Sequence, residues 1–127
     1  MKVKMLDLIN SRNALGAMRQ IPFRAIYGIK IGKAIKAINL ELSEFDSIVK
    51  EKRDAITKNG EPTNEQIKDF ESEVNEATSE DIDLDVQSVN FSWFAKKGGP
   101  ITDETEWHDF APANFELLDW LIVDDVN

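Results

Sequence analysis

Two clusters of carboxylates have residue types and a spacing that could bind a metal ion or serve acid–base chemistry. In one of them, aspartates alternate with apolar residues along 81–86, and carboxylate oxygens are the ligands that Ca²⁺ prefers. An EF-hand loop that begins at Asp81 would need glycine at its sixth position and glutamate at its twelfth. Val86 and Ser92 hold those positions instead. The alternation therefore favours a half-buried strand with a solvated acidic face, which discourages pairing with other strand edges.

The second cluster surrounds His108, the one histidine of the chain, in the acidic segment 103–109. A base oriented by Asp109, or a metal site built from imidazole and carboxylates, would use this arrangement. The sequence offers no second imidazole, no cysteine, no serine in a nucleophile elbow and no glycine-rich phosphate loop. We therefore expect that the protein is not an enzyme and that it holds neither a metal nor a cofactor.

Length and composition predict one intracellular domain. The chain has 127 residues, of which 42% are hydrophobic, and this is enough to build the core of a single domain. It has no apolar run of the roughly 20 residues that span a bilayer. Its first residues also lack the apolar core of a secretory signal. We expect a soluble protein without a membrane contact.

The charges of the chain are divided between its two halves. Residues 1–58 hold twelve basic and six acidic side chains, a net charge of +6, whereas residues 59–127 hold three and eighteen, a net charge of −15. Three interpretations fit this division: the halves neutralise each other within one fold, they join copies head to tail or dock an oppositely charged partner, or the basic segment 2–36 binds DNA. The overall charge of −9 and the scarcity of aromatic residues in the basic segment disfavour a nucleic-acid partner.

The strongest structural pattern lies between residues 22 and 58. Apolar residues recur there in steps of four and three, which predicts a long helix with one apolar seam and with Pro22 in its first turn. Apolar residues on further faces, among them Ile26 and Ile29, predict that the N-terminal half of this helix lies in the core. The seam consists of Ile31, Ile35, Ile38, Leu42, Phe45, Val49 and Ile56.

A second helix is predicted to fold back on the first. The Asn-Gly-Glu-Pro sequence at 59–62 is typical of a turn, and Thr63 with Gln66 matches a capping box. The same apolar spacing then continues at Ile67, Phe70, Val74 and Ala77. A short turn between two such helices indicates an antiparallel helical hairpin over 22–78.

The remaining segments, 1–21 and 79–127, are expected to form a sheet-and-helix head within a single domain, 1–127. The predicted class is α+β, with a long antiparallel helical hairpin, a small antiparallel β-sheet and short N- and C-terminal helices. The expected elements of the head are a strand near Val3, a helix over 7–19 capped by Asp7, the acidic strand, a strand over 89–93, a strand or loop over 101–110, and a helix that opens at Pro112 and includes Ile122.

Charged and aromatic side chains are the candidates for contact with a partner. Aromatic residues crowd into the last third of the chain, either as the core under a small sheet or, for Trp107 in its acidic segment, as an interface anchor. The full set of interface candidates is Arg12, Arg19, Arg24, Lys30, Lys33, Asp81, Asp83, Asp85 and Trp107.

Short sequence features along most of the chain resemble a known group of proteins. In the N-terminal half they are Leu8-Ile9-Asn10, Ala14-Leu15, Ile21-Pro22, Leu40-Glu41-Leu42, Phe45 and Lys50-Glu51-Lys52-Arg53, and near the C-terminus Ala111-Pro112-Ala113, Leu117-Leu118 and Leu121-Ile122. They are similar to a family of short, functionally unassigned proteins of tailed bacteriophages and prophages. The segment 87–110, with Trp93, Trp107 and a Gly-Gly-Pro turn, departs from that family's pattern. The resemblance implies a phage setting and no catalytic activity.

These observations lead to two hypotheses of function. The first is a non-catalytic phage protein that acts by protein–protein contact, as a structural or assembly component of the virion, with other phage proteins or copies of itself as partners. The alternative is an acidic accessory factor that binds and inhibits a host protein, as a mimic of nucleic acid. The expected location is accordingly the virion or the host cytoplasm.

Overall fold

The computed structural model describes residues 1–126, and Asn127, the last residue of the predicted domain, lies outside the described residues. The mixture of helices and short strands confirms the α+β class. The helices are α1 (Met5–Asn10), α2 (Arg12–Arg19), α3 (Ala25–Thr57), α4 (Asn64–Thr78) and α5 (Pro112–Leu117). The strands are β1 (Lys2–Lys4), β2 (Asp81–Asp83), β3 (Val89–Asn90) and β4 (Ile122–Val123), and a 3-10 turn spans Phe91–Phe94.

The long helix α3 turns its predicted apolar seam toward the core. The seam residues from Ile31 to Leu42 are buried, and those from Phe45 to Ile56 are half-buried. The helix begins at Ala25, so the prediction that Pro22 lies in its first turn is wrong. Pro22 instead sits in a tight turn in which the N–H of the next residue donates to the carbonyl oxygen of the preceding one at 2.9 Å. Within residues 1–126, no helix, α3 included, combines the length and the apolar character that crossing a membrane requires.

Helix α4 folds back along the C-terminal part of α3, which confirms the predicted hairpin. The connecting turn contains Gly60, whose φ of 110° is accessible to glycine. The Thr63 hydroxyl accepts from the Gln66 N–H at 3.1 Å, and the Gln66 side-chain oxygen accepts from the Thr63 N–H at 2.8 Å, as a capping box requires. Across the hairpin, Lys52 Nζ lies 3.5 Å from Glu73 Oε2. No residue of α4 is fully buried, so α4 is held mainly by its half-buried face and its cap.

The expected helix over 7–19 is wrong, because the chain forms two helices that meet at Ser11. The hydroxyl of Ser11 lies within hydrogen-bond distance of the Asp7 carbonyl oxygen, four residues back along the chain. Such a bond competes with the helical ladder and bends helices. Asp7 is not the cap either: Lys4 precedes the first helical residue and makes no side-chain capping bond.

Two separate pairs of strands replace the single sheet that the sequence suggests. Strands β1 and β2 form the expected small antiparallel sheet, with Lys2 opposite Asp83 and Lys4 opposite Asp81. Strands β3 and β4 pair in parallel, with Val89 opposite Ile122.

The expected strand over 89–93 and the expected helix through Ile122 are therefore wrong. Residues from Phe91 onward coil into the 3-10 turn, and α5 ends where Leu118 leaves the helical region at φ −107° and ψ 19°. The β-branched pair Ile122–Val123 then extends as a strand. The segment 101–110 is a loop, apart from an isolated bridge between Ala95 and Trp107.

The hydrophobic core lies between the N-terminal helices, α3 and the C-terminal segment. Leu8, Met18 and Ile38 are fully buried on the helical side, and Phe94 and Leu121 are fully buried on the other. The basic first third of the chain and the acidic last third thus share one core, and the charged side chains of both lie around it.

Candidate interaction surfaces

The predicted interface residue Arg12 forms an ion pair within the chain. Its guanidinium donates two hydrogen bonds to Asp46 of α3, at 2.9 and 2.6 Å, and so fastens α2 to α3. The same hydrogen bonds lower the pKa of Asp46 and raise the pKa of Arg12. Both residues belong to the basic half 1–58, so this pair neutralises charge within that half and does not join the two halves.

Two other basic candidates pack on aromatic rings. Arg24 lies just before α3, with its guanidinium carbon 5.8 Å from the centre of the Tyr27 ring. Lys30 Nζ lies 5.5 Å from the centre of the Trp93 ring, which itself stacks on Tyr27 at 5.0 Å. Cations at these distances are attracted to the ring faces. A Cβ at Gly98 would collide with the Arg24 guanidinium, so this glycine makes room for the contact.

Arg19 lies at the end of α2, on the rim of a groove between α2 and α3. The groove has a volume of about 360 Å³ and is lined by Arg19, Gly32, Ile35, Lys36 and Asn39. Its two charged side chains are both basic. The groove therefore extends the positive surface of α3 toward α2.

The outer face of α3 is exposed. The N-terminal half of the helix does lie against the core on one face, but the expectation that its further apolar faces, with Ile26 and Ile29, are buried as well is wrong. Ile26, Ile29 and Leu40 are 57%, 62% and 61% exposed, because they point away from the buried seam. Together with Lys33 and Lys36 they follow the same alternation of three and four residues as the buried seam does. We call this set the basic seam: Ile26, Ile29, Lys33, Lys36 and Leu40.

Of the basic seam, sequence reasoning singled out Lys33 and missed the other four members as contact residues. The sequence signal that could have identified the exposed side of the helix is the spacing of its lysines. A helix whose lysines recur at 30, 33 and 36 must turn that side to solvent, so apolar residues on the same side are exposed with them.

The acidic candidates on strand β2 are partly neutralised by their own chain. Asp81 lies 3.5 Å from Lys4 Nζ, and Asp83 lies 3.5 Å from the amino group of Met1. Both carboxylates are exposed, whereas Ile82 between them is half-buried and Leu84 is buried, as the alternation predicts. Asp85 is exposed beyond the end of β2.

A second acidic surface, on α4, is absent from the predicted candidates. Its members are exposed and are spaced four, three and four residues apart, so they lie along one side of the helix. Most of this side is opposite the half-buried Phe70 and Val74 and faces away from α3, whereas Asp69 lies at its edge, in the groove between α4 and α3. We call this set the acidic seam: Glu65, Asp69, Ser72 and Glu76.

The candidate Trp107 belongs to an aromatic cluster and is half-buried. Its ring centre lies 4.9 Å from that of Phe91, and Phe91 in turn packs on Phe94 and Phe115 at 6.3 and 5.3 Å. The cluster covers one side of the core, which supports the structural role for most of these aromatic residues.

Trp107 also lines a cavity of about 760 Å³ beside the N-terminus of α3. Its charged lining residues are Arg24, Lys97, Asp103 and Asp125. Two basic and two acidic side chains balance each other, so the lining favours no ligand of either sign. Burial raises the pKa of Asp125, but hydrogen bonds from the Ser92 hydroxyl and N–H outweigh this effect and leave that pKa lowered.

The predicted base His108 is half-buried and packs beside an apolar ring. Its Nε2 is buried and has no hydrogen-bond partner in the described part of the chain. The Phe23 ring centre lies 6.1 Å away, and the backbone N–H of His108 donates to Phe94 at 2.8 Å. Within residues 1–126, neither a hydrogen bond nor an ion pair joins the imidazole to Asp109, so the structure does not bring together the predicted base and its orienting carboxylate.

No cluster of metal-binding side chains is formed among residues 1–126, where no three histidine or acidic residues are grouped so as to hold an ion. Asp81 and Asp83 lie on β2 and Asp85 lies beyond its end, and none of the three is grouped with His108 as a metal site within residues 1–126.

Comparison of the chain with models of protein families, with curated proteins and with solved structures finds no match. The charged and apolar seams of α3 and α4 therefore carry the functional argument. They can attract an oppositely charged surface, and a partner on the basic seam would exclude water from the aliphatic side chains that flank its two lysines.

Proposed function

We propose that this chain is a non-catalytic bacteriophage protein that acts by protein–protein contact, as a structural or assembly component of the virion. The phage setting comes from the family resemblance of the sequence. The contact role is supported by one observation above all: the basic seam leaves three large aliphatic side chains more than half exposed along one helix.

The spacing of these side chains separates them from ordinary exposed apolar residues. Single exposed aliphatic residues are common on protein surfaces. The members of the basic seam instead repeat in steps of three and four over about 21 Å of helix, as the contact residues of packed helices do. Burying them against a partner removes apolar surface from water, and the lysines then select a partner of negative charge.

Mass spectrometry of purified particles tests this function. We expect the chain to be present in particles, or in assembly intermediates, at a constant ratio to the major capsid protein through successive purification steps. An abundant host cytosolic protein serves as the control for contamination, since its ratio should fall at each step. A chain that disappears together with this control would contradict a structural or assembly role.

A second candidate function is favoured by the acidic seam. Three carboxylates along one side of α4 form a regular row of negative charge. A host protein that binds nucleic acid recognises a similar row of negative charge in the phosphates of the nucleic acid. Asp81 and Asp83 are less suited to this role because cations of the same chain lie 3.5 Å from each.

Capture from infected cells distinguishes the two functions. An inhibitor should retain one dominant nucleic-acid-binding host protein, and the variant Glu65→Gln, Asp69→Asn, Glu76→Gln should lose it. Neutralising Asp81, Asp83 and Asp85 instead provides the matched control, with the same number of changed charges. Retention of the host protein by both variants would contradict mimicry through the acidic seam.

A further inference from the structure

Two exposed helical seams of opposite charge stand on different parts of the same molecule. We propose that the basic seam of one copy binds the acidic seam of a second copy, so that copies of this chain associate head to tail. This inference rests on the proposed function, because it names a second copy as the partner of the contact surface.

Charge complementarity carries the first step. Residues 25–40 of α3 hold three lysines and no acidic residue, a net charge of +3. Residues 64–78 of α4 hold five acidic residues and one lysine, a net charge of −4. Neither Lys33 nor Lys36 forms an ion pair within residues 1–126, and the same holds for Glu65, Asp69 and Glu76. Both surfaces thus retain their charge for a partner.

The two seams also agree in length and in spacing. The basic seam extends over about 21 Å and the acidic seam over about 16 Å, at ~1.5 Å per residue. Both advance in steps of three and four residues, which is the spacing that keeps two packed helices in contact along their length. The acidic seam therefore fits within the basic seam. Glu65 and Glu76 are as far apart in sequence as Ile29 and Leu40, so the methylene groups of the two glutamates can lie over these two side chains.

The α4 of the same copy does not reach the basic seam. It packs on the C-terminal part of α3, where Lys52 pairs with Glu73. Counting from that pair, the end of α4 lies beside roughly residue 47 of α3, which leaves Lys36 about 16 Å further along the axis. Neutralisation within one copy is therefore blocked by the hairpin itself, and the acidic seam must come from another molecule.

The directions of the seams determine the kind of assembly. Helix α4 packs on the side of α3 that carries the buried seam. The basic seam lies nearly opposite the buried seam, because Leu40 is two residues beyond Ile38 and each residue rotates the helix by about 100°. Glu65, Ser72 and Glu76 of the acidic seam face away from α3 on the far side of α4, and Asp69 lies at the edge of the groove between the two helices. One copy thus presents its two seams in opposite directions, and contacts of this heterologous kind continue from copy to copy instead of closing as a two-fold dimer.

Sedimentation velocity of the purified full-length chain tests the proposal. At low ionic strength we expect a concentration-dependent series of oligomers, which salt dissociates because it screens the lysine–carboxylate contacts. The basic-seam variant Lys33→Ala, Lys36→Ala, Leu40→Ser should associate roughly a hundredfold more weakly, because it loses two cations and one apolar anchor. The acidic-seam variant Glu65→Gln, Asp69→Asn, Glu76→Gln should show a similar loss.

Mixing the two variants provides the sharper measurement. Each retains one intact seam, so a mixture should form a one-to-one pair and stop there, at a concentration where each variant alone is monomeric. The variant Lys58→Ala, Lys97→Ala is the matched control, since both lysines are exposed outside the seam and its assembly should equal that of the unmodified chain. All substituted side chains are exposed, and circular dichroism verifies that the helices remain.

Several results would overturn the proposal. They are a chain that stays monomeric at low salt, oligomers that persist in both seam variants, or a mixture that does not pair. Duplex DNA and anionic vesicles are tested in parallel, and a basic seam that binds either of them without any self-association also contradicts it. These results leave the proposed function standing, because that function fails only if the chain is missing from particles and assembly intermediates.

Discussion

Ser11 is the residue through which the two ends of the chain are joined. It is a fully buried polar side chain. Its hydroxyl accepts a hydrogen bond from the Trp120 indole N–H at 3.0 Å and lies 3.0 Å from the carbonyl oxygen of Leu117. A buried hydroxyl with several partners fixes their geometry, and removing it leaves those partners unsatisfied. The sequence presents this residue as one of several serines without a base, and its role depends on contacts with residues more than a hundred positions away.

Replacing Ser11 should destabilise the fold without changing its surface. Ser11→Ala removes the hydroxyl that accepts from the part-buried Trp120 indole N–H, and we expect the free energy of unfolding to fall by about 1–3 kcal/mol. Urea denaturation followed by tryptophan fluorescence measures this change. Ser43→Ala, at an exposed position on α3, is the control and should change stability little. Equal stability of both variants would contradict the buried network.

The Arg12–Asp46 pair predicts a dependence of stability on pH. Because its pKa is lowered in the folded state, ionised Asp46 stabilises the protein at neutral pH, and this contribution is lost as the pH falls through the lowered pKa. The pair is exposed, so its contribution should be below about 1 kcal/mol. Asp46→Asn should be less stable than the unmodified chain at neutral pH and approach it in stability in acid. A stability difference that does not change with pH would contradict this account.

At the scale of elements, the helical hairpin could be predicted in detail from the sequence, whereas the short helices and strands packed around it could not. The buried seam of α3 and the capping box of α4 follow from local spacing, and both are confirmed. The Ser11 break, the late start of α3 at Ala25 and the parallel β3–β4 pair depend on contacts between distant segments, which local propensity does not contain. The exposure of Ile26 and Ile29 could not be predicted either, because a helix with apolar residues on two faces has the sequence pattern of a fully buried helix.

The capping box should control the local stability of α4. Because α4 has no fully buried residue, its N-terminus depends on the reciprocal bonds of Thr63 and Gln66. Thr63→Ala should cost about 1 kcal/mol. Hydrogen exchange should accelerate in the amides of α4 and remain slow in the buried part of α3.

The control for the cap is Ser72→Ala, an exposed position in the middle of the same helix. Alanine has the higher helix propensity, so exchange in α4 should stay as slow or become slower. Equal acceleration in both variants, or acceleration throughout the chain in Thr63→Ala, would contradict a local role of the cap.

At the scale of the whole molecule, the charged side chains of the basic half 1–58 and the acidic half 59–127 are accommodated in three different ways. Part of the charge is neutralised inside the fold, at Lys52–Glu73 and between β1 and β2. Part of it packs on aromatic rings, at Arg24 and Lys30. The remainder lies on the basic and acidic seams, which a single copy holds apart. The charge imbalance between the two halves is read from the sequence alone, and head-to-tail contact is one of the interpretations that fit it. Which lysines are exposed and available to a partner depends on how α3 is rotated against the core.

The most direct test of head-to-tail association is zero-length cross-linking of lysines to carboxylates in an equal mixture of isotope-labelled and unlabelled chain. We predict mixed-isotope links between Lys33 or Lys36 and Glu65, Asp69 or Glu76, and a sharp loss of them at high salt. Lys52 and Glu73 should give links within one copy, which serve as the internal control. Seam lysines that form no links to another copy, while the Lys52–Glu73 link is present, would contradict the account.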